Sequence, residues 1–200
     1  QVMAVGGFTV LAYDDLLSKV LALIWIFHLR GDRKVTLKRK KINANNCAFR
    51  TEFFKANPWP DLPAFKKQCG FWLRDIEKRG IKWVRTVDAM TIHAPHPGYA
   101  FYLWRAWTAG SDRDFQTYHA GYATRLGRLG YAIFFWIKRS LRSTQRILTR
   151  GHEVELRWWQ MPAALLVGNL YFAVLFVGQI WGALARSYVP LAAVRPAAAD

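Results

Sequence analysis

Asp14 and Asp15 stand side by side after the strand-like TVLAY, and paired carboxylates are one way to hold a divalent cation. They also open an apolar helical segment, where aspartate serves as a cap or first-turn residue against the helix dipole, and that use is the one expected here. Further on, Asn45, Asn46 and Arg50 offer amide and guanidinium donors able to hold hydroxyls or phosphate oxygens. The same three residues equally suit a structural turn in which asparagine caps a helix starting near Phe49. His93 ends the run DAMTIH; a neutral imidazole is a metal ligand, and ligand sites of α/β proteins open at strand ends. A purely structural histidine is the alternative, and His96, on the following loop, is the weaker candidate. Cys47 and Cys69 are too few for a disulfide scaffold and lack metal-ligand spacing, which fits a reducing cytoplasm.

The elements that must position these groups alternate. LLSKVLALIWIFHLR is apolar over about four turns, too short to span a bilayer comfortably, and predicts an interfacial or core helix. The basic cluster Lys38 to Lys41 suits a membrane surface or a phosphate-bearing ligand, or else a solvated charge run. WPDLPAF reads as a loop, KKQCGFWLRDIEKRG as a helix ended by Gly80, and IKWVRTVDAMTIH as a strand. After the loop APHPG, YAFYLWRAWTAG predicts a helix closed by Gly110. Helix and strand in alternation argue for an α/β domain, with too few strands for a whole one.

Among 200 residues, 29 lysines and arginines face 13 acids, a formal net charge of +16 that draws the surface to anions. A composition 52% hydrophobic with ten tryptophans makes a membrane, and not nucleic acid, the expected partner. Trp158 to Ala185 carries no charged residue and exceeds the ~20 apolar residues needed to cross a bilayer. Eight lysines and arginines from Arg125 to Arg157 precede this segment, against Arg186 and Arg195 after it, which places the preceding part in the cytoplasm. Within that flank, RLGYAIFFWIKRSLRSTQRIL predicts an amphipathic helix in the headgroup plane, with a short membrane helix or a domain helix as alternatives. The chain begins at Gln1 directly on an apolar stretch, which reads as a cut inside a longer chain and not as a signal peptide.

The order INANNCAFRTEFF, WPD, EKRGIKW, DAMTIHAPHPG, FYLWRAWTAGSD resembles the second half of family-2 glycosyltransferases of the GT-A fold, as does the opening GGFTVLAYDDLLSKVLAL. The resemblance covers about residues 5 to 115, and the ordered set carries it more than any one motif. It implies transfer, with inversion, of a sugar from a nucleotide-sugar donor to a lipid-linked or polysaccharide acceptor at the bacterial inner membrane. It also implies a divalent cation, Mg or Mn, held mainly by an Asp-x-Asp upstream of this chain, so that the piece alone is inactive. Under the resemblance Asn45, Asn46 and Arg50 fall at the floor of the active site, His93 approaches the metal or the diphosphate, and Arg105 lines the acceptor channel or buries against the bilayer. The family's acidic pair falls on Gln68 and Cys69, neither a carboxylate; Asp61 in the WPDLP loop is the nearest substitute for the base. The expected organisation is an acceptor-side part of the transferase domain at 1–118, a basic amphipathic segment at 119–157, a transmembrane helix at 158–186 and a tail at 187–200. The alternative is a non-catalytic, membrane-anchored, transferase-like binding subunit.

Overall fold

The computed structural model describes residues 2–25, 27–32, 46–60 and 68–186. Asn45, Asp61 and the Lys38 to Lys41 cluster lie outside the described residues. Among the described residues the architecture is mixed α/β and mostly helical, with one small sheet.

Strand β1 (Ala4–Leu11) is almost wholly buried and is the centre of the three-stranded order β2-β1-β3. Strand β2 (Cys47–Phe49) pairs with it antiparallel, and β3 (Trp83–His93) pairs parallel. The parallel ladder runs from Ala4↔Trp83 to Gly6↔Arg85 and resumes at Phe8↔Met90, leaving residues 86–89 opposite Gly7. This bulge frees backbone carbonyls that need another donor.

Helix α1 (Leu16–Ile24) begins as expected at Asp15, whose Oδ1 accepts from the Ser18 N–H at 2.7 Å while Ser18 Oγ accepts from the Asp15 N–H at 3.1 Å. It is shorter than the apolar run suggests. At Trp25 the backbone becomes extended, and the chain turns so that His28 bridges to Val10. Trp25 and Phe27 pack against the His93 ring instead of prolonging the helix. Val20, Leu21, Ala22 and Leu23 are buried, which makes α1 a core helix.

Helix α2 is Thr51–Ala56, and α3 is Gln68–Lys78. Gly80 ends α3 with φ of 71°, letting the Ile81 N–H reach the Ile76 carbonyl at 3.0 Å, as the glycine signal foretold. Ala4, Trp72, Leu73 and Ile76 form a small core with Phe49, Phe54 and Trp59, while Trp72 Nε1 donates to the Asn57 carbonyl at 2.7 Å.

Three long helices follow among the described residues: α4 (Tyr99–His119), α5 (Arg125–Arg150) and α6 (Met161–Ala185). Contrary to expectation, Gly110 does not close α4 but lies inside it. A Cβ there would come within 2.0 Å of the Leu175 carbonyl oxygen on α6, and one on Gly178 within 2.5 Å of the Trp107 oxygen. The glycine marks a close helix crossing of the kind small residues permit. The main core joins Leu11, Val20 and Leu23 to Tyr102, Ala106, Ile147, Tyr171 and Leu175. The helix over Trp158–Ala185 is long and apolar enough to cross a membrane, and 44% of its most apolar window is buried against the rest of the protein.

Candidate functional site

Because β1 and β3 are parallel and in register at Leu11↔His93, their carboxyl ends open side by side, and α1 and α4 start just beyond. Such an end is where ligands bind in open α/β sheets. A cleft of about 90 Å³ lies there, lined among others by Asp14, Asp15, Ser18, His96, Phe101 and Tyr102. Asp15 and Ser18 are engaged in the cap of α1; the Asp14 side chain is exposed. The His96 ring stands edge-on to Phe101 at 5.4 Å. In the sequence Asp14 stands as a helix-cap residue and His96 as a loop histidine, the weaker of two. What brings them together is that each follows the end of a parallel strand, a pairing of distant segments that no local pattern announces.

The other candidates are dispersed. His93 is half-buried, with its ring 5.3 Å from Phe27 and 6.2 Å from Trp25, and does not line the cleft. Arg50 sits just before α2 and donates through Nε to the Val2 carbonyl at 2.9 Å, at the amino end of β1. At ~3.3 Å per residue, that end is about 30 Å from the cleft. Gln68 and Cys69 occupy the first two positions of α3, whose inner face packs near Ala4 at that same amino end.

Asn46 has a definite structural use, different from the helix cap envisaged. Its Nδ2 donates to the Phe8 carbonyl at 3.1 Å and to the Ala89 carbonyl at 2.9 Å, one on each side of the bulge, while its own carbonyl accepts from the Gly7 N–H at 2.8 Å. Gly7 makes room for this side chain, since a Cβ there would lie 2.4 Å from the Asn46 amide. Asn46→Ala is therefore expected to leave two carbonyls without this donor and to destabilise the fold by about 1–3 kcal/mol, measured by urea denaturation. An unchanged midpoint would show that these two hydrogen bonds do not hold the bulge.

Arg105 is 7% exposed, with its guanidinium carbon 4.8 Å above the Trp25 ring. Its Nε and Nη1 find no hydrogen-bond partner among the described residues, and burial holds its pKa below that of a solvated arginine despite the opposing influence of Tyr171 and Asp112. It belongs to the interior and does not line the cleft.

A second polar group links the sheet to the end of α5. Arg85 Nη2 lies 2.8 Å from His28 Nε2; a guanidinium only donates, so His28 accepts there and carries its proton on Nδ1, 3.9 Å from Asp32. Asp32 accepts from the Leu29 N–H at 3.1 Å and from Arg150 Nη2 at 2.9 Å. Burial raises the Asp32 pKa, but those hydrogen bonds with the charges of Arg150 and Arg146 outweigh it and hold the carboxyl below its usual value.

Among the described residues no three His, Cys, Asp or Glu side chains gather to hold a metal ion. His93, the expected metal-approaching residue, is set among the Trp25 and Phe27 rings. Compared with family models, curated proteins and solved structures, the chain matches none.

Proposed function

We propose that this chain is the acceptor-side part of an inverting, membrane-bound family-2 glycosyltransferase, moving a sugar from a nucleotide-sugar donor to a lipid-linked or polysaccharide acceptor. The ordered motifs from INANNCAFR to FYLWRAWTAGSD support the family assignment. One structural observation supports a site at this end of the sheet: the carboxyl ends of β1 and β3 open onto the cleft beside α4, and α4 packs along the apolar α6. An acceptor held at a membrane surface would then reach the site without leaving the interface. The basic flank before α6 favours contact with an anionic membrane surface.

The chemistry needs a base for the acceptor hydroxyl. The carboxylates available to this reading are Asp61 and the exposed Asp14 of the cleft. The donor and its Mg or Mn ion are assigned to residues upstream of Gln1. Release of nucleoside diphosphate from labelled sugar donors is to be measured on the chain joined to its upstream sequence, with Asp61→Asn and Asp14→Asn beside it. Loss of about 10²–10⁴-fold in one variant identifies the base. No transfer with any donor, or an upstream sequence lacking a strand that ends in Asp-x-Asp, overturns the reading. Gln68 and Cys69 at the positions of the family's acidic pair favour the second reading, a non-catalytic binding subunit.

A further inference from the structure

Helix α5 is amphipathic the wrong way round for water. The face it turns inward carries Arg128, buried, together with the half-buried Arg139, Arg146 and Arg150. Its exposed face carries Leu126, Ile133, Ile137, Leu141 and Leu148, spaced so that all five fall on one stripe. Helix α6 has a matching exposed stripe of Leu166, Leu170, Val177, Trp181 and Leu184.

The contacts fix how the two stripes lie. Gly168 sits against Ser143 and Ile147, Trp136 stacks on Phe176 at 5.2 Å, and Arg128 reaches the Ala183 carbonyl, so α5 runs antiparallel along the whole of α6. Helix α4 touches α6 through Tyr171 and Gly178, and α5 through Phe135 and Arg128. On both helices the apolar stripe lies on the side away from those residues. The two stripes therefore form one apolar surface opposite α4, and the exposed Lys138 and Arg142 flank it on α5.

We infer that α5 and α6 lie together in the plane of a single leaflet, their shared apolar surface in the acyl region and Lys138 and Arg142 among anionic headgroups, so that α6 does not cross the bilayer. An upright α6 would carry α5 with it, because the two are packed along their full length. Lys138 and Arg142 lie on α5 between the Phe176 and Gly168 contacts, so they would then face the lipid near its centre, where charge is strongly disfavoured. In the plane, the same side chains sit at headgroup height and the net charge of +16 favours an anionic surface. This inference rests on the membrane association in the proposed function, not on its chemistry.

The two arrangements differ in where the ends of α6 stand. In a Cys47→Ser, Cys69→Ser background, His152→Cys and Arg186→Cys place a thiol near each end, read with a membrane-impermeant maleimide on right-side-out and inverted vesicles. Labelling of both from the same side is expected; labelling from opposite sides overturns the in-plane arrangement while leaving membrane association intact. As a second arm, Ile133→Glu, Ile137→Glu and Leu141→Glu together should weaken partition onto phosphatidylglycerol-containing vesicles by on the order of a hundredfold. The helical signal should persist, since these side chains are exposed. Gln145→Glu with Thr149→Glu, on the polar flank, should weaken it far less. An unchanged affinity of the triple variant overturns the inference. So does a protein that ignores vesicles, or that closes this face in a soluble dimer.

Discussion

Replacing Arg128 by alanine is expected to destabilise the protein by about 3–5 kcal/mol, the largest effect of any single side chain described. Arg128 and Asp114 form a salt bridge at 3.1 Å in which the two side chains are 4% and 0% exposed. The guanidinium also donates to the Ala183 carbonyl at 2.9 Å and to the Ala123 carbonyl at 3.2 Å. Ala183 lies in the last turn of α6, where carbonyls have no partner within the helix, so this one arginine ties α4 and α5 to the end of α6. Truncation leaves the buried Asp114 charge without its arginine. The double change Arg128→Met with Asp114→Leu removes both charges and should recover most of the loss. Chemical denaturation in mild detergent reads both. A loss below about 1 kcal/mol in Arg128→Ala would mean that water reaches the pair.

Gly110→Ala is expected to cost about 3 kcal/mol, the upper end for overpacking, because the added carbon would stand 2.0 Å from the Leu175 oxygen and 3.0 Å from the Gln179 nitrogen. Both obstacles are backbone, so no rotamer change relieves them. The helices must part, and the reciprocal contact at Gly178 opens with them. Gly130→Ala is the control, since an added carbon on that α5 glycine meets nothing within 4 Å. It should stabilise by roughly 0.5–1 kcal/mol, the ordinary helical preference for alanine. Equal effects from the two substitutions would remove the crossing as the explanation.

The elements legible in the sequence were those set by local chemistry. Asp15 capping α1, Gly80 ending α3, the alternation of β3 and the uncharged run of α6 each depend on neighbours within a turn or two. Gly110 was misread because a glycine that ends a helix and one that admits a neighbouring backbone look alike locally; only Leu175, far along the chain, separates them. The early end of α1 has the same origin, since Trp25 and Phe27 are drawn to His93. Of the expected site residues, the asparagine after Asn45 is recognisable as one with a task, but the task depends on a bulge created by pairing β1 with a strand some 80 residues later. The inward turn of the α5 arginines was likewise hidden, because periodicity reports two faces without saying which one meets the core.

The main core joins α1 to α5 and α6, and the Tyr13 hydroxyl donates to the Glu153 carbonyl across 140 residues of sequence. During synthesis, Val20, Leu21 and Leu23 lack the Ile147, Ala164, Tyr171 and Leu175 side of their core until those helices emerge. At ribosomal speeds of about 5–20 residues per second, synthesis from Leu23 to Ala185 lasts roughly 8–32 s, long against the microseconds of helix formation. The nascent chain thus carries the uncovered apolar segment of α1, too short to hold as a helix alone and a target for chaperones or for the bilayer itself, and completion of α6 is the event that commits the molecule to its native topology.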